Sequence, residues 1–270
     1  MYRTRVNARY ALIALLAPSV AYAEEDARIW LLDLTITTEI GLYDDSAGDP
    51  ISVAPDLSLL TKGAPQIEII HSSAALTGFH GIPLGTSFCV AGDGCGDVYH
   101  NAGLQLGYTV RSHAGGDDGL NATALSLTAG LLANNFDPYD FSLKLGVRGS
   151  YVTSGYIQFQ LVPNVHIPLD DRDERDDRLF VPFTVTMVPS ESVTLQLETG
   201  MATSFDNAGD NLQIPVGINL DIVGNNAVDV LLSFSFPAAY GGDGVGVTGF
   251  DARVATVGLR FSKFLGGTNE

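Results

Sequence analysis

Along most of this chain apolar side chains recur at every second position, in segments of about ten residues, the length of a tilted strand crossing a bilayer. In Phe141 to Tyr151, the apolar set Phe141, Leu143, Leu145, Val147 and Tyr151 faces away from Ser142, Lys144, Gly146, Arg148 and Ser150. Tyr156 to Ile167 sets Ile157, Phe159, Leu161, Val165 and Ile167 against Gln158, Gln160, Asn164 and His166. Val193 to Met201 and Leu212 to Ile222 repeat the scheme, with Gln196 and Glu198, then Asn219 and Asp221, on the polar side. A period of two means strands, because successive side chains of a strand point to opposite faces. Each such strand carries one face that water does not welcome.

Twelve segments are expected: 29–42, 51–60, 65–73, 99–111, 121–133, 140–151, 155–167, 179–188, 192–204, 212–223, 227–236 and 250–261. Pro55 and Asp56 interrupt the second, and Asp251 and Arg253 share a face with Val257, Leu259 and Phe261 in the last. Connectors alternate in length. Thr61 to Ala64, Val152 to Ser154, Pro189 to Glu191 and Gly224 to Asn226 are tight, whereas 74–98, 168–178 and 237–249 are long and rich in Gly and Asp. Only 112–120 is longer than its phase prefers. Short turns at one end and long loops at the other characterise transmembrane barrels. A soluble sandwich also has short alternating strands, but gives no reason for that phase. The expected fold is an all-β transmembrane antiparallel up-and-down β-barrel of about twelve strands, with ten as the fallback.

The start of the chain fits an exported protein. Arg3, Arg5 and Arg9 precede the apolar run Tyr10 to Ala17, and Ala21-Tyr22-Ala23 has the small-x-small spacing of a signal peptidase site. The run is about half the ~20 residues a spanning helix needs. Residues 1–23 are therefore expected to be a cleaved signal peptide and 24–270 the barrel. Cleavage would remove three arginines and no acid, taking the formal charge from −17 by three to −20. Such an acidic body argues against a nucleic-acid partner. No later stretch reaches the ~18 apolar residues of a spanning helix, yet hydrophobic residues make up 46% of the chain. A barrel hides that surface in lipid, so the bacterial outer membrane is the expected location, with its lipid and lipopolysaccharide as surroundings.

Charged residues on the strands' polar faces are Glu39, Glu68, Lys144, Arg148, Glu198, Asp221 and Asp229. On the lipid face each would cost roughly 2–4 kcal/mol at the midplane, so all seven are expected to line the lumen. There they set a pore's selectivity or pair with one another and plug a narrow barrel. Lys144 and Arg148, about 13 Å apart along one strand at ~3.3 Å per residue, are expected to oppose acids such as Glu198 and Asp221. Cys89 and Cys95, the two cysteines, lie in a Gly/Asp-rich stretch. In an oxidising compartment they are expected to form a disulfide, a metal site usually drawing more ligands.

His71 and Ser73 are the catalytic candidates. Two apart on a strand, they share a face that Ile67 and Ile69 direct to lipid, where outer-wall acyl hydrolases keep a His-x-Ser pair. Here the sequence runs His71-Ser72-Ser73-Ala74 without the Asn-Gly that continues the phospholipase pattern, and no third orienting residue is evident. The run Asp170 to Arg178 mixes both signs. It could hold Ca²⁺ or lipopolysaccharide phosphates, but lacks EF-hand spacing and reads first as a solvated loop. No P-loop, Rossmann or zinc motif appears, and no cofactor or metal is expected.

His71-Ser72, Leu76-Thr77-Gly78-Phe79, the cysteine stretch to Val98-Tyr99-His100-Asn101, Phe136-Asp137-Pro138 and Phe250-Asp251-Ala252-Arg253 resemble proteobacterial outer-membrane barrels grouped with the phenol-degradation-pathway (MetA-type) transporters. The resemblance spans most of the mature chain through short motifs. It implies an outer-membrane channel or transporter and supplies no catalytic residues. Three functions follow: a channel passing a small solute, a lipid acyl hydrolase on His71 and Ser73, or a non-conducting barrel whose loops bind a partner.

Overall fold

Hydrogen-bonded registers join the alternating segments into one closed wall in the computed structural model. It describes residues 29–43, 51–62, 68–71, 88–91, 102–113, 121–136, 139–153, 157–190, 192–224, 228–246 and 248–265. Among these residues there are fourteen strand segments: β1 (Ile29–Tyr43), β2 (Ile51–Lys62), β3 (Glu68–His71), β4 (Phe88–Ala91), β5 (Ala102–His113), β6 (Thr123–Phe136), β7 (Tyr139–Val152), β8 (Ile157–Leu161), β9 (Asn164–Pro168), β10 (Arg178–Ser190), β11 (Val193–Ser204), β12 (Gln213–Val223), β13 (Val228–Gly241) and β14 (Ala252–Leu265). A 3-10 turn, Gly249–Asp251, leads into β14.

Successive wall positions follow the order of the sequence, and every pairing is antiparallel. The first strand meets both β2 and the last strand, with Trp30 opposite Leu265 and Tyr43 opposite Ala252, so the sheet has no free edge there. In hydrocarbon an open edge would leave backbone groups unsatisfied. β8 and β9 both bridge β7 and β10 and share one position in the wall. β3 and β4 both pair β2, against Leu57–Leu60 and Ile51–Val53 respectively, and share another. Fourteen segments thus fill twelve wall positions.

Two features differ from the sequence expectation. The long connector expected over 74–98 contains β4, a piece of wall. Its four residues are too few to show a period of their own. The seventh strand is broken at Val162 and Pro163, where proline has no N–H to give the ladder. The ladder nonetheless continues across the break, Val147 N donating to Pro163 O at 2.9 Å and Val162 N to Pro182 O at 3.0 Å. Near the far end of β12 and β13 the register shifts between Ile214 and Val216, next to Pro215 and opposite Pro237, a bulge at two residues that cannot donate.

Side chains sort by parity. On β6, Ser126 and Thr128 are buried while Leu125, Leu127 and Leu131 are exposed; on β14, Thr256 is buried while Val257, Leu259 and Phe261 are exposed. Leu34, Ile36, Leu106, Leu145, Leu161, Leu197, Ile218, Leu232 and Phe234 extend the exposed apolar face over other strands. An apolar face that runs round a closed wall is far larger than the patches a soluble surface tolerates, and it is the lipid face of a transmembrane barrel. The two faces are the reverse of a soluble core: polar within, apolar without.

The expected signal peptide lies outside the described residues. So do Ser73, Cys95 and the side chains of Glu39, Glu68, His71 and Cys89, although the backbones of the last four belong to β1, β3, β3 and β4. The hydrolase and disulfide readings therefore rest on sequence.

Candidate functional site

The face opposite the apolar one carries the chemistry. Its uncharged part forms an unbroken row: pairing registers place Gln158 opposite Thr186, Thr186 opposite Gln196, Gln196 opposite Asn219, Asn219 opposite Ser233, and Ser233 opposite Thr256. The row crosses β8 and β10 to β14 and consists of amides and hydroxyls alone. Opposed residues stand ~4.5–5.5 Å apart at Cβ, so the row bands the inner face of six neighbouring strands with closely spaced hydrogen-bonding groups. Ser233 Oγ and Thr256 Oγ1 are buried with no protein hydrogen-bond partner. Buried polar atoms of this kind call for water or a solute hydroxyl. Beside the row, Glu198 sits opposite Gly217, whose missing side chain leaves room: a Cβ there would lie 3.3 Å from Ser235 Cβ and 3.8 Å from Glu198 Oε2.

At the end of the wall with the tight turns, Arg260 of β14 gathers two carboxylates. Its Nη2 donates to Asp229 Oδ2 at 2.7 Å and also to Asp221 Oδ2. Asp229 is directly opposite Arg260, and Asp221 reaches it from β12. All three side chains are largely buried. Sequence reasoning found both acids and missed the arginine. The signal was present, because Arg260 alternates with Leu259 and Phe261. Asp221 is ion-paired with Arg260, a partner the sequence reading did not name, since partner choice follows strand register, which alternation alone does not specify.

At the end with the long loops lies a basic group. Lys144 of β7 is opposite His166 of β9, and His166 is opposite Arg178 of β10. Lys144 and His166 are buried. Arg178, expected in a loop, is the first residue of β10, on the face of Phe180 and Thr184. Phe180 packs against both neighbours, its ring 4.4 Å from the imidazole centroid and 5.7 Å from the Arg178 guanidinium carbon. His166 Nε2 has no protein partner. Arg148 lies further down β7, opposite Ser126.

The mixed-charge loop 169–177, between β9 and β10, is tied to the wall at the start of β7. Arg175 pairs with Asp170, and its Nη2 donates to Ser142 Oγ at 3.0 Å, tying the loop to the polar face of β7. Arg172 pairs with Asp177 at 3.1 Å and Asp170 Oδ2 accepts from Phe141 N at 2.8 Å. The arginines and two of the carboxylates thus serve the loop's own structure. Among the described residues no group of three His, Cys, Asp or Glu side chains is placed to hold a metal ion.

Closed wall, apolar exterior and polar interior together define a twelve-position transmembrane β-barrel. No protein family matches the sequence, and no curated protein does. Solved structures do. The chain is similar to the NanC porin, with 9% identity, a TM-score of 0.55, and coverage of 84% of this chain and 98% of that one. It is also similar to the KdgM porin, at 7% identity and a TM-score of 0.51 over 84% of this chain and 98% of that one. A KdgM structure described as a complex with oligogalacturonate gives 6% identity and a TM-score of 0.53, over 85% and 98%. At these identities the likeness establishes the fold, that of bacterial outer-membrane barrels.

Proposed function

We propose that this chain is an outer-membrane channel through which a small polar solute diffuses passively. The observation that carries the reading is the row of amides and hydroxyls, Gln158–Thr186–Gln196–Asn219–Ser233–Thr256, traced without a break through five registers. A barrel filled for stability alone would place apolar or mutually paired side chains there, since half-satisfied polar interiors are costly. Lys144, Arg148, Glu198, Asp221 and Asp229, and Glu39 and Glu68 by strand parity, line the same lumen in this reading and set its selectivity. The porin neighbours support a channel, and the resemblance of short motifs to phenol-degradation-pathway transporters agrees with the outer membrane of a proteobacterium. Export by the 1–23 signal and a Cys89–Cys95 disulfide complete the proposal.

Burial favours a second reading. Lys144 is 4% exposed and Glu198 5%, values of a narrow interior. A passage of this kind admits only small solutes, and in the limit it is shut. Conductance of the refolded protein in a planar bilayer separates the two. Discrete steps that disappear when Gln196 and Asn219 are both replaced by Leu are expected. A folded, inserted barrel with no conductance refutes the channel.

A further inference from the structure

We propose that Arg111 and His113, on the outer wall near the tight turns, bind the phosphate of an anionic phospholipid in the periplasmic leaflet. The inference rests on the barrel's outer face and holds whether or not the lumen conducts.

Register fixes the direction of both side chains. As far as Thr109, β5 alternates regularly. Tyr108 is opposite the exposed Leu127, and Thr109 is opposite the buried Ser126, its Oγ1 3.0 Å from Ser126 Oγ. The register then shifts. Val110 is left without an opposite residue, Arg111 stands opposite Leu125, and His113 stands opposite Thr123. Leu125 and Thr123 are both exposed, on the apolar exterior. Without the extra residue Arg111, two positions after Thr109, would enter the lumen. The bulge re-aims it onto the lipid wall. Keeping a charge out of the lumen does not explain this, since a neutral residue at 111 would do so without a bulge. Arg111 and His113 are exposed, and neither has a hydrogen bond or ion pair to a described residue.

The depth of the pair points to its ligand. A cation facing hydrocarbon is costly at the midplane and nearly free at the interfaces. The row of Arg111 runs through Leu125 to Gly149 on β7. Gly149 lies three residues before Val152, where the tight turn begins, about 10 Å at ~3.3 Å per residue. The row thus stands near headgroup level, at the end whose short turns face the periplasm. Tyr108 and Tyr151 are exposed on the same face, and such rings settle at membrane interfaces. Phosphate is the lipid anion at that depth. The guanidinium takes two of its oxygens as a fork, and the imidazole N–H donates to another. Thr123, Leu125, Gly149 and Tyr151, the outward residues across β6 and β7, include no acid to compete. At Gly149 a Cβ would meet nothing nearer than Leu161 O at 4.0 Å. The wall is therefore hollowed between the exposed Leu125 and Leu161, leaving room for an acyl chain beside the phosphate. The chain's formal charge is −17, so general attraction to an anionic surface does not account for such binding. A local basic pair does.

The test uses the full-length barrel refolded into vesicles of phosphatidylcholine and phosphatidylglycerol. Trp30 is the chain's one tryptophan, so Trp30→Phe with Leu127→Trp places a single reporter on the outer face. Position 127 is one outward residue from Leu125, toward the midplane. Brominated acyl chains on phosphatidylglycerol should quench the reporter more than the same chains on phosphatidylcholine. A preference of about fivefold is expected, the scale of one cation near an anionic membrane. Arg111→Gln should bring the preference close to parity, His113→Gln should reduce it in part, and Arg111→Lys should keep most of it. Heat-modifiable mobility reports whether each variant has folded, and the parent reporter keeps the test decisive if Arg111→Gln has not. Equal quenching by the two lipids in that parent, or an undiminished preference in folded Arg111→Gln, overturns the site. Quenching by neither lipid would mean that a second copy of the chain covers this face, and overturns it as well.

Discussion

At the scale of single residues, the Arg260 cluster is where the interior has most to lose. Removing one member of a buried charge group leaves the others desolvated and unpaired, which costs about 3–5 kcal/mol in a dry core and less in a partly hydrated lumen. Arg260→Gln is expected to lower barrel stability by roughly 2 kcal/mol or more on that principle. Arg260→Gln with Asp221→Asn and Asp229→Asn should recover most of the loss, because no charge is then left unmatched. Urea unfolding in lipid vesicles measures both, and a single variant as stable as the parent contradicts the pairing. The acids were legible because each alternates with aliphatic neighbours, Asp221 between Leu220 and Ile222, Asp229 between Val228 and Val230. Their common cation was not, because it comes from another strand. A second expectation at this scale concerns Cys89 and Cys95: peptide mass spectrometry of the exported, unreduced protein should find them joined. The small ring implies a modest local stabilisation, and two free thiols would end the idea.

At the scale of elements, hydrophobic alternation located strands well and connectors poorly. β1, β7, β11 and β12 lie within two residues of the sequence expectation, since each presents an uninterrupted two-residue period. β4 was read as loop because four residues next to a Gly/Asp-rich stretch show no period. β13 runs on to Gly241 and β10 begins at Arg178, ends that no two-residue alternation of apolar and polar side chains marks. Loop contacts are invisible to periodicity altogether. The loops after β11 and β13 are joined by Gly242 N to Leu212 O at 2.8 Å and Gly244 N to Asp210 O at 2.9 Å. A Cβ on Gly242 would strike the carbonyl oxygens of Gly209 and Asp210. Gly242→Ala is therefore expected to part these loops without opening the wall. Limited proteolysis should show faster cleavage within 205–212 or 242–246, with heat-modifiable mobility unchanged. Equal cleavage rates in variant and parent would mean that the loops do not depend on this contact.

At the scale of the whole molecule, the closed ring converts separate strand faces into one field. β7 and β13 are five positions apart among twelve, nearly across the barrel from each other. Lys144, Arg148, His166 and Arg178 lie on β7, β9 and β10, whereas Glu198, Asp221 and Asp229 lie on β11 to β13 with Arg260 beside the last two. Among the described residues the interior is thus basic on one side and acidic on the other, although the chain as a whole is strongly acidic. Net charge could not reveal this division, because it depends on which strands closure brings opposite each other. In an open lumen, opposed charges orient a solute across its path and set ion preference. Lys144→Gln with Arg148→Gln removes half of the basic side and should move the reversal potential in a salt gradient toward cation selectivity. In a shut lumen the same change would leave interior acids without opposing charge and lower the melting temperature by several degrees, as a loss of about 1–2 kcal/mol does in a domain of this size. Reversal potential and melting temperature together decide: a shift in the first establishes a conducting, charge-divided lumen, and a fall in the second alone establishes a closed one. If neither moved, Lys144 and Arg148 would not share an interior with the acids, and the division of charge would have no functional meaning.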